Sequence, residues 1–338
     1  MNKEKLAATA RAIVSSGKGI LAADESTPTM GKRLALIGQE NTEANRRDFR
    51  QALFETESME MFISGVILFE ETLEQKTEEG TRLSEILESK GVIPGIKVDK
   101  GAHSMENSPS EKLTKGLDGL YDRCVGYHSL GARFAKWRAV ITIGEDIPTD
   151  DCIRGNASAL AKYAKACQDA ELVPIVEPEV LMDGEHSAEE CFNKTSEVIK
   201  KCYEELIKHK VDLKGTILKP NMILPGSSSK NNIDSKKIAE LTLKCLKGSV
   251  PSEVPGIAFL SGGQSEEEAA KNLNSINLIN DTNFVMTYSY GRALQQSALK
   301  FWSKDINNIK GTQDTFNHRA KMCSLAAQGK WSEDIEKR

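Results

Sequence analysis

Eight short apolar runs punctuate the sequence: GILAAD (19–24), GVILFE (65–70), GIKVD (95–99), FAKWRAV (134–140), LVPIVEPE (172–179), GTILKPN (215–221), GIAFLSGG (256–263) and FVMTYSYGR (284–292). They are rich in Ile, Val, Leu and Phe and are often opened by Gly, as strands buried on both faces should be. Between them lie stretches with helical period. In the segment 187–210, Phe192, Ile199, Tyr203 and Leu206 share one face, with Lys and Glu opposite. Residues 156–170 and 265–276 read the same way, and Asn, Ser or Asp stands near each helix start.

Buried strands alternating with helices predict a parallel sheet, and eight of them predict a (β/α)8 TIM barrel. We expect one domain over residues 1–338, with a helix before the first strand and further helices after the eighth. A doubly wound sheet is the competing architecture, but no GxGxxG turn follows the first run. SSSKNN (227–232) and the stretch near 103–110 are short enough to be loops after strands.

Composition narrows the classes. The 338 residues carry a net charge of −4, without the basic excess of a nucleic-acid binder. No run approaches the roughly 18 apolar residues of a membrane span, so neither nucleic acid nor a membrane span is expected. Seven Cys at irregular spacing form no CxxC and read as free thiols in a reducing cytoplasm. Five scattered His make no HExxH, which argues against a zinc site.

In this barrel, chemistry collects at the C-terminal strand ends, and most of the eight runs end in charge or in phosphate-binding sequence. The first ends in Asp24, Glu25 and Ser26. The third carries Lys97 and Asp99, the fourth Lys136 and Arg138, the fifth Glu177 and Glu179, and the sixth Lys219. The seventh ends in Ser261, Gly262 and Gly263, the eighth in Ser289, Tyr290, Gly291 and Arg292. Residues two apart on a strand face the same way, so each charged pair looks to one side. Taken singly, each is most simply a strand end meeting water; together they crowd charge at one mouth, which is costly without pairing or purpose.

A lysine amine that sheds its proton attacks a ketone to give a Schiff base, which accepts electrons from a breaking C–C bond. Neighbouring cations favour proton loss. Lys219 is one candidate, with Lys136 and Lys97 as neighbours, and Glu177, Glu179 and Asp24 are candidate acids and bases. The SGG and YGR segments each precede a helical pattern, so backbone N–H groups plus Arg292 predict one anion site. Lys32, Arg33, Lys97 and Arg138 predict another. Two anion sites flanking one lysine point to a bisphosphorylated ketose.

These segments together resemble the class I fructose-1,6-bisphosphate aldolase family. KGILAADES, NRRDFRQ, GVILFEETL, GIKVDKG, FAKWR, IVEPE, LKPN, FLSGGQSEEEA and YGRALQ occur in the family's order with similar spacing. The resemblance implies a glycolytic lyase needing no metal or cofactor. It implies Lys219 as the Schiff-base lysine, Glu177 as main general acid/base with Glu179 in support, Lys136 assisting iminium formation, and Asp24 in C–C cleavage. Ser261, Gly262, Gly291 and Arg292, with Ser289 alongside, would hold the phosphate of the ketone half; Ser26, Lys32, Arg33, Lys97 and Arg138 would hold the other. It further implies sugar phosphates as ligands, a homotetramer, and an actin or cytoskeletal partner. The pattern departs from the family at Pro28 and Gly31, where relatives commonly have Gly and Ala, and at Lys214, where relatives often have Glu. Family members also carry a mobile tail finishing in Tyr, where this sequence reads WSEDIEKR. The rival readings are another Schiff-base barrel enzyme acting on a monophosphate, and a non-enzymatic scaffold.

Overall fold

A computed structural model describes residues 2–337. The chain order of strands is β1 (Gly19–Ala23), β2 (Ile63–Leu68), β3 (Ile93–Lys97), β4 (Ala102–Ser104), β5 (Lys112–Thr114), β6 (Phe134–Ile141), β7 (Val173–Val180), β8 (Ile217–Leu218), β9 (Gly256–Phe259) and β10 (Val285–Tyr290). Eight of them close a parallel barrel in the order β1-β10-β9-β8-β7-β6-β3-β2. Each predicted apolar run supplies one staff of it. Strands β4 and β5 form a separate antiparallel pair, where the sequence suggested only a loop. Their three-residue length leaves no periodicity to read.

Side-chain alternation explains the interior. Ile20, Ala22, Ile67, Phe134, Ile175, Ile217 and Ala258 form a cluster inside the barrel. The helix Lys3–Ile13 joins that cluster with Leu6, Ala10 and Ile13, closing the N-terminal end. The Phe134 ring lies where side chains on Gly65 and Gly95 would go, so two glycines make room for one aromatic plug. Outward-facing residues such as Leu21, Val66, Trp137, Val176 and Leu218 pack under the helices in a second, larger cluster.

The helices begin where their caps allow. Ser187 and Ser265 form capping boxes with Glu190 and Glu268, opening the helices Ala188–Lys208 and Glu266–Leu278. The expected helix at 156 starts earlier, as Asp150–Asp169 capped by Thr149. Asn156 therefore sits inside it, and its side-chain amide donates to Lys112 O at 2.8 Å, holding β5 in place. Among the described residues, no helix is long and apolar enough to cross a membrane.

Candidate active site

The interior alternation continues upward from core into chemistry. Above Phe134 on β6 stand Lys136 and Arg138; above Ile175 on β7 stand Glu177 and Glu179; above Ile217 stands Lys219. β8 is only two residues long, but Lys219 N still donates to Val176 O at 2.8 Å, so the ladder holds the lysine itself. Pro220 restricts Lys219 to extended geometry, and its carbonyl accepts from Leu260 N at 3.0 Å. Lys136, Arg138, Glu177, Glu179 and Lys219 line a cavity of about 280 Å³ at the C-terminal mouth.

Lys219 Nζ lies 3.0 Å from Glu177 Oε1. The other Glu177 oxygen is 3.5 Å from Lys136 Nζ, which also meets Asp24 Oδ2 at 2.7 Å and Asp99 Oδ2 at 3.9 Å. The sequence led us to expect cations around the Lys219 amine. Its immediate neighbour is instead a carboxylate, because β7 presents Glu177 between the two lysines. Burial works against the Lys136 ammonium, but Asp24, Glu177 and Asp99 outweigh it and hold its pKa above the ordinary lysine range. Burial likewise opposes the Asp24 carboxylate, yet Lys136 first, then Lys219, hold its pKa well below the ordinary aspartate range.

Around this core, Arg138 pairs with Glu179 and Lys97 with Asp99, the latter at 2.6 Å. Glu179 is 6% exposed and faces the cavity through Arg138 rather than through either lysine.

One rim is built for an anion. Gly262 has φ +56°, a left-handed conformation that favours glycine. Gly291 starts the helix Arg292–Trp302 with no side-chain cap, leaving its first N–H groups toward the cavity. Arg292 Nη2 donates to Gly262 O at 2.6 Å, tying the two segments together. The Ser289 hydroxyl, buried below them, makes no hydrogen bond to protein. A second, neighbouring part of the rim is the helix Thr27–Ala35, which follows β1 beside β10. Its N-cap Ser26 makes no capping bond, and its hydroxyl lies 3.0 Å from that of Thr29. Thr29 was not among the sequence candidates, although its place three residues after Ser26 puts both hydroxyls on one helical face.

Every predicted site residue lines the cavity except Lys32, which is exposed on the Thr27–Ala35 helix. Arg33, on the same helix as Thr29, is held by Glu25, and its Nη2 also lies 3.8 Å from where a Cβ on Gly291 would sit, so it borders both segments. Pro28 fits the first turn of its helix. Gly31 leaves space for Asn41, whose Nδ2 would be 2.5 Å from a Cβ there. Lys214 belongs to the turn Leu213–Gly215 at the far end of the barrel, next to the Lys3–Ile13 helix.

A closed parallel barrel with paired lysines and carboxylates between two anion-binding rims defines a barrel enzyme for phosphorylated carbonyl compounds. The family model described as fructose-bisphosphate aldolase class-I matches residues 5–338. The chain is 49% identical over 332 residues to a probable fructose-bisphosphate aldolase class 1 of Xanthomonas axonopodis pv. citri, covering 98% of this chain and 99% of that one. It is 51% identical over 334 residues to the cytosolic fructose-bisphosphate aldolase 6 of Arabidopsis thaliana, covering 98% and 93%. Its fold matches fructose-bisphosphate aldolase from Plasmodium falciparum, solved in complex with TRAP and a small-molecule inhibitor, with a TM-score of 0.96 at 47% identity over 98% and 96% of the two chains. The chain belongs to the class I fructose-bisphosphate aldolase family.

Proposed function

We propose that the protein catalyses reversible cleavage of fructose 1,6-bisphosphate to dihydroxyacetone phosphate and glyceraldehyde 3-phosphate through a Schiff base on Lys219. The observation that carries this is the 3.0 Å contact of Lys219 Nζ with Glu177 Oε1, at a mouth flanked by two anion-binding rims.

The geometry supports the following course. Glu177 takes the proton that the Lys219 ammonium must lose, and the free amine attacks C2 of the ketose. Glu177 returns a proton to the C2 hydroxyl, which leaves as water as the iminium forms. The Lys136 ammonium, fixed by Asp24, faces the charge developing on oxygen at C2. Asp24, kept ionised by Lys136, accepts the proton of the C4 hydroxyl as the C3–C4 bond breaks. Its electrons flow into the iminium to give an enamine, and the aldehyde half departs. Protonation at C3 and hydrolysis then release the ketone half and restore Lys219. Glu179 supports this by fixing Arg138.

Ser261, Gly262, Ser289, Gly291 and Arg292, joined by Arg33, hold the phosphate on the ketone half; Ser26, Thr29 and Lys97, with Arg138 nearby, hold the other. The protein acts in the cytoplasm, as the names of its plant relatives suggest. By resemblance to the family alone, it assembles as a homotetramer.

Borohydride reduction in the presence of dihydroxyacetone phosphate, followed by mass mapping, tests the assignment. The expected result is one adduct on Lys219. No adduct, or an adduct on Lys136, would overturn it.

A further inference from the structure

Glu25 is a buried acid inside a site proposed to bind a doubly anionic substrate. Alone it would repel phosphate. Its carboxylate, however, is flanked by cations and an amide, with hydrogen bonds to Oε1 and only an ion-pair contact at Oε2. Oε1 accepts from Arg33 Nη1 and, at 3.0 Å, from Gln295 Nε2. Oε2 lies 3.5 Å from Arg50 Nη2, which also donates to the Glu25 carbonyl at 2.8 Å. Arg50 is 1% exposed and anchored to Thr72 Oγ1 at 2.7 Å, so it cannot itself reach a ligand.

The charges sort accordingly. Two guanidiniums, Arg33 and Arg50, share the one Glu25 carboxylate, which leaves a net positive charge of one at this cavity wall. Gln295 stands in the first turn of the helix that Gly291 opens. Its amide reaches Ala22 O at 2.8 Å and Gly291 O at 3.4 Å as well as Glu25. One carboxylate thus grips the Arg33 side chain, the end of β1 and the start of the Arg292–Trp302 helix.

We propose that Glu25 is a positioning residue for phosphate recognition: it preassembles the anion site of the ketone half by fixing Arg33 against Gly291 and, through Gln295, the first turn of the Arg292–Trp302 helix. This rests on the function proposed above. Because Arg33 Nη2 reaches Gly291, we assign Glu25 to the phosphate that every ketose 1-phosphate carries, and its loss should not discriminate between mono- and bisphosphate.

The test is a double-mutant cycle on the full chain with Glu25→Gln, Arg33→Ala and the pair. Steady-state rates are read on fructose 1,6-bisphosphate and fructose 1-phosphate, and binding is titrated with hexitol 1,6-bisphosphate, which has no carbonyl and so reports binding without chemistry. Glu25→Gln should raise KM for both substrates and weaken the hexitol by about tenfold, the size of one lost charge-assisted contact, with KM rising more than kcat falls. The pair should be worse than Arg33→Ala alone by less than Glu25→Gln costs in the wild-type chain, because only the Gln295 arm is left to lose. Additive losses, an unchanged KM, or a loss confined to the bisphosphate would overturn the proposal. If Glu25→Gln does not fold, Arg33→Ala with Gln295→Met keeps the test, because Glu25 accepts from both: additivity there also overturns it. A wild-type chain that does not cleave fructose 1,6-bisphosphate defeats the proposed activity instead, while hexitol binding still reads the coupling.

Discussion

Lys136 Nζ lies 2.7 Å from Asp24 Oδ2, joining β6 to the end of β1 across strands that are not neighbours in the barrel. This buried pair should set the pH limits of stability. The folded Asp24 pKa is below its ordinary 3.8, so its contribution is present above that value and lost as pH falls through the folded one. The folded Lys136 pKa is above its ordinary 10.5, so its contribution is present below that value and lost as pH rises through the folded one. Breaking the pair with Asp24→Asn should cost about 3–5 kcal/mol at neutral pH. In urea titrations the gap from wild type should shrink below about pH 4. A gap that stays constant down to acid unfolding would contradict this.

Removing Lys136 with Lys136→Met leaves Asp24, Asp99 and Glu177 facing one another without their shared cation. Turnover should fall by at least about a hundredfold, the scale of one preorganised electrostatic contact. Borohydride trapping on Lys219 should slow in parallel. Trapping at the wild-type rate would place Lys136 outside Schiff-base formation.

The Ser26–Thr29 hydroxyl pair predicts substrate discrimination. Thr29→Val removes one hydroxyl 3.0 Å from its partner with little change in shape. KM for fructose 1,6-bisphosphate should rise by about three- to tenfold, the range of one hydrogen bond, and KM for fructose 1-phosphate should not move. Equal effects on both would assign this rim to neither phosphate in particular.

Inside the barrel, Gly95→Ala drives a methyl group into the Phe134 ring. Overpacking should cost about 1–3 kcal/mol in urea unfolding. Phe134→Leu, harmful alone, should offset part of that cost in the double variant. Purely additive losses would mean that the ring is not what fills the glycine space.

All seven cysteines are free and buried. The native protein should therefore react slowly with a disulfide-exchanging thiol reagent, and all seven thiols should titrate at once in denaturant. Rapid native reaction of any one would reveal local opening of its helix.

Much of this was legible in the sequence because the barrel repeats a simple rule. Ile175 and Glu177, or Ile217 and Lys219, are two residues apart on one strand, so apolar core and polar mouth could be read from the same alternation. The same rule put Lys136 and Arg138 on one face. The connections that brace the site were not legible. Gln295 meets Glu25 from 270 residues away, and Arg50 reads as one more charge on an amphipathic helix until its burial is seen. The reach of Arg33 to Gly291 was not legible either, because sequence order does not fix which strand end a helix residue touches. The start of the helix at Asp150 was missed because its cap, Thr149, lies beyond the periodic stretch.

On β6, β7 and β8 the apolar plug below and the charged groups above are set by one register. A chain paired one residue out on any of these three would turn its apolar plug outward and its reactive groups into the helices together. Misfolded yet compact molecules would thus be chemically silent, so specific activity in a preparation should count correctly threaded barrels directly, without a separate assay of folding.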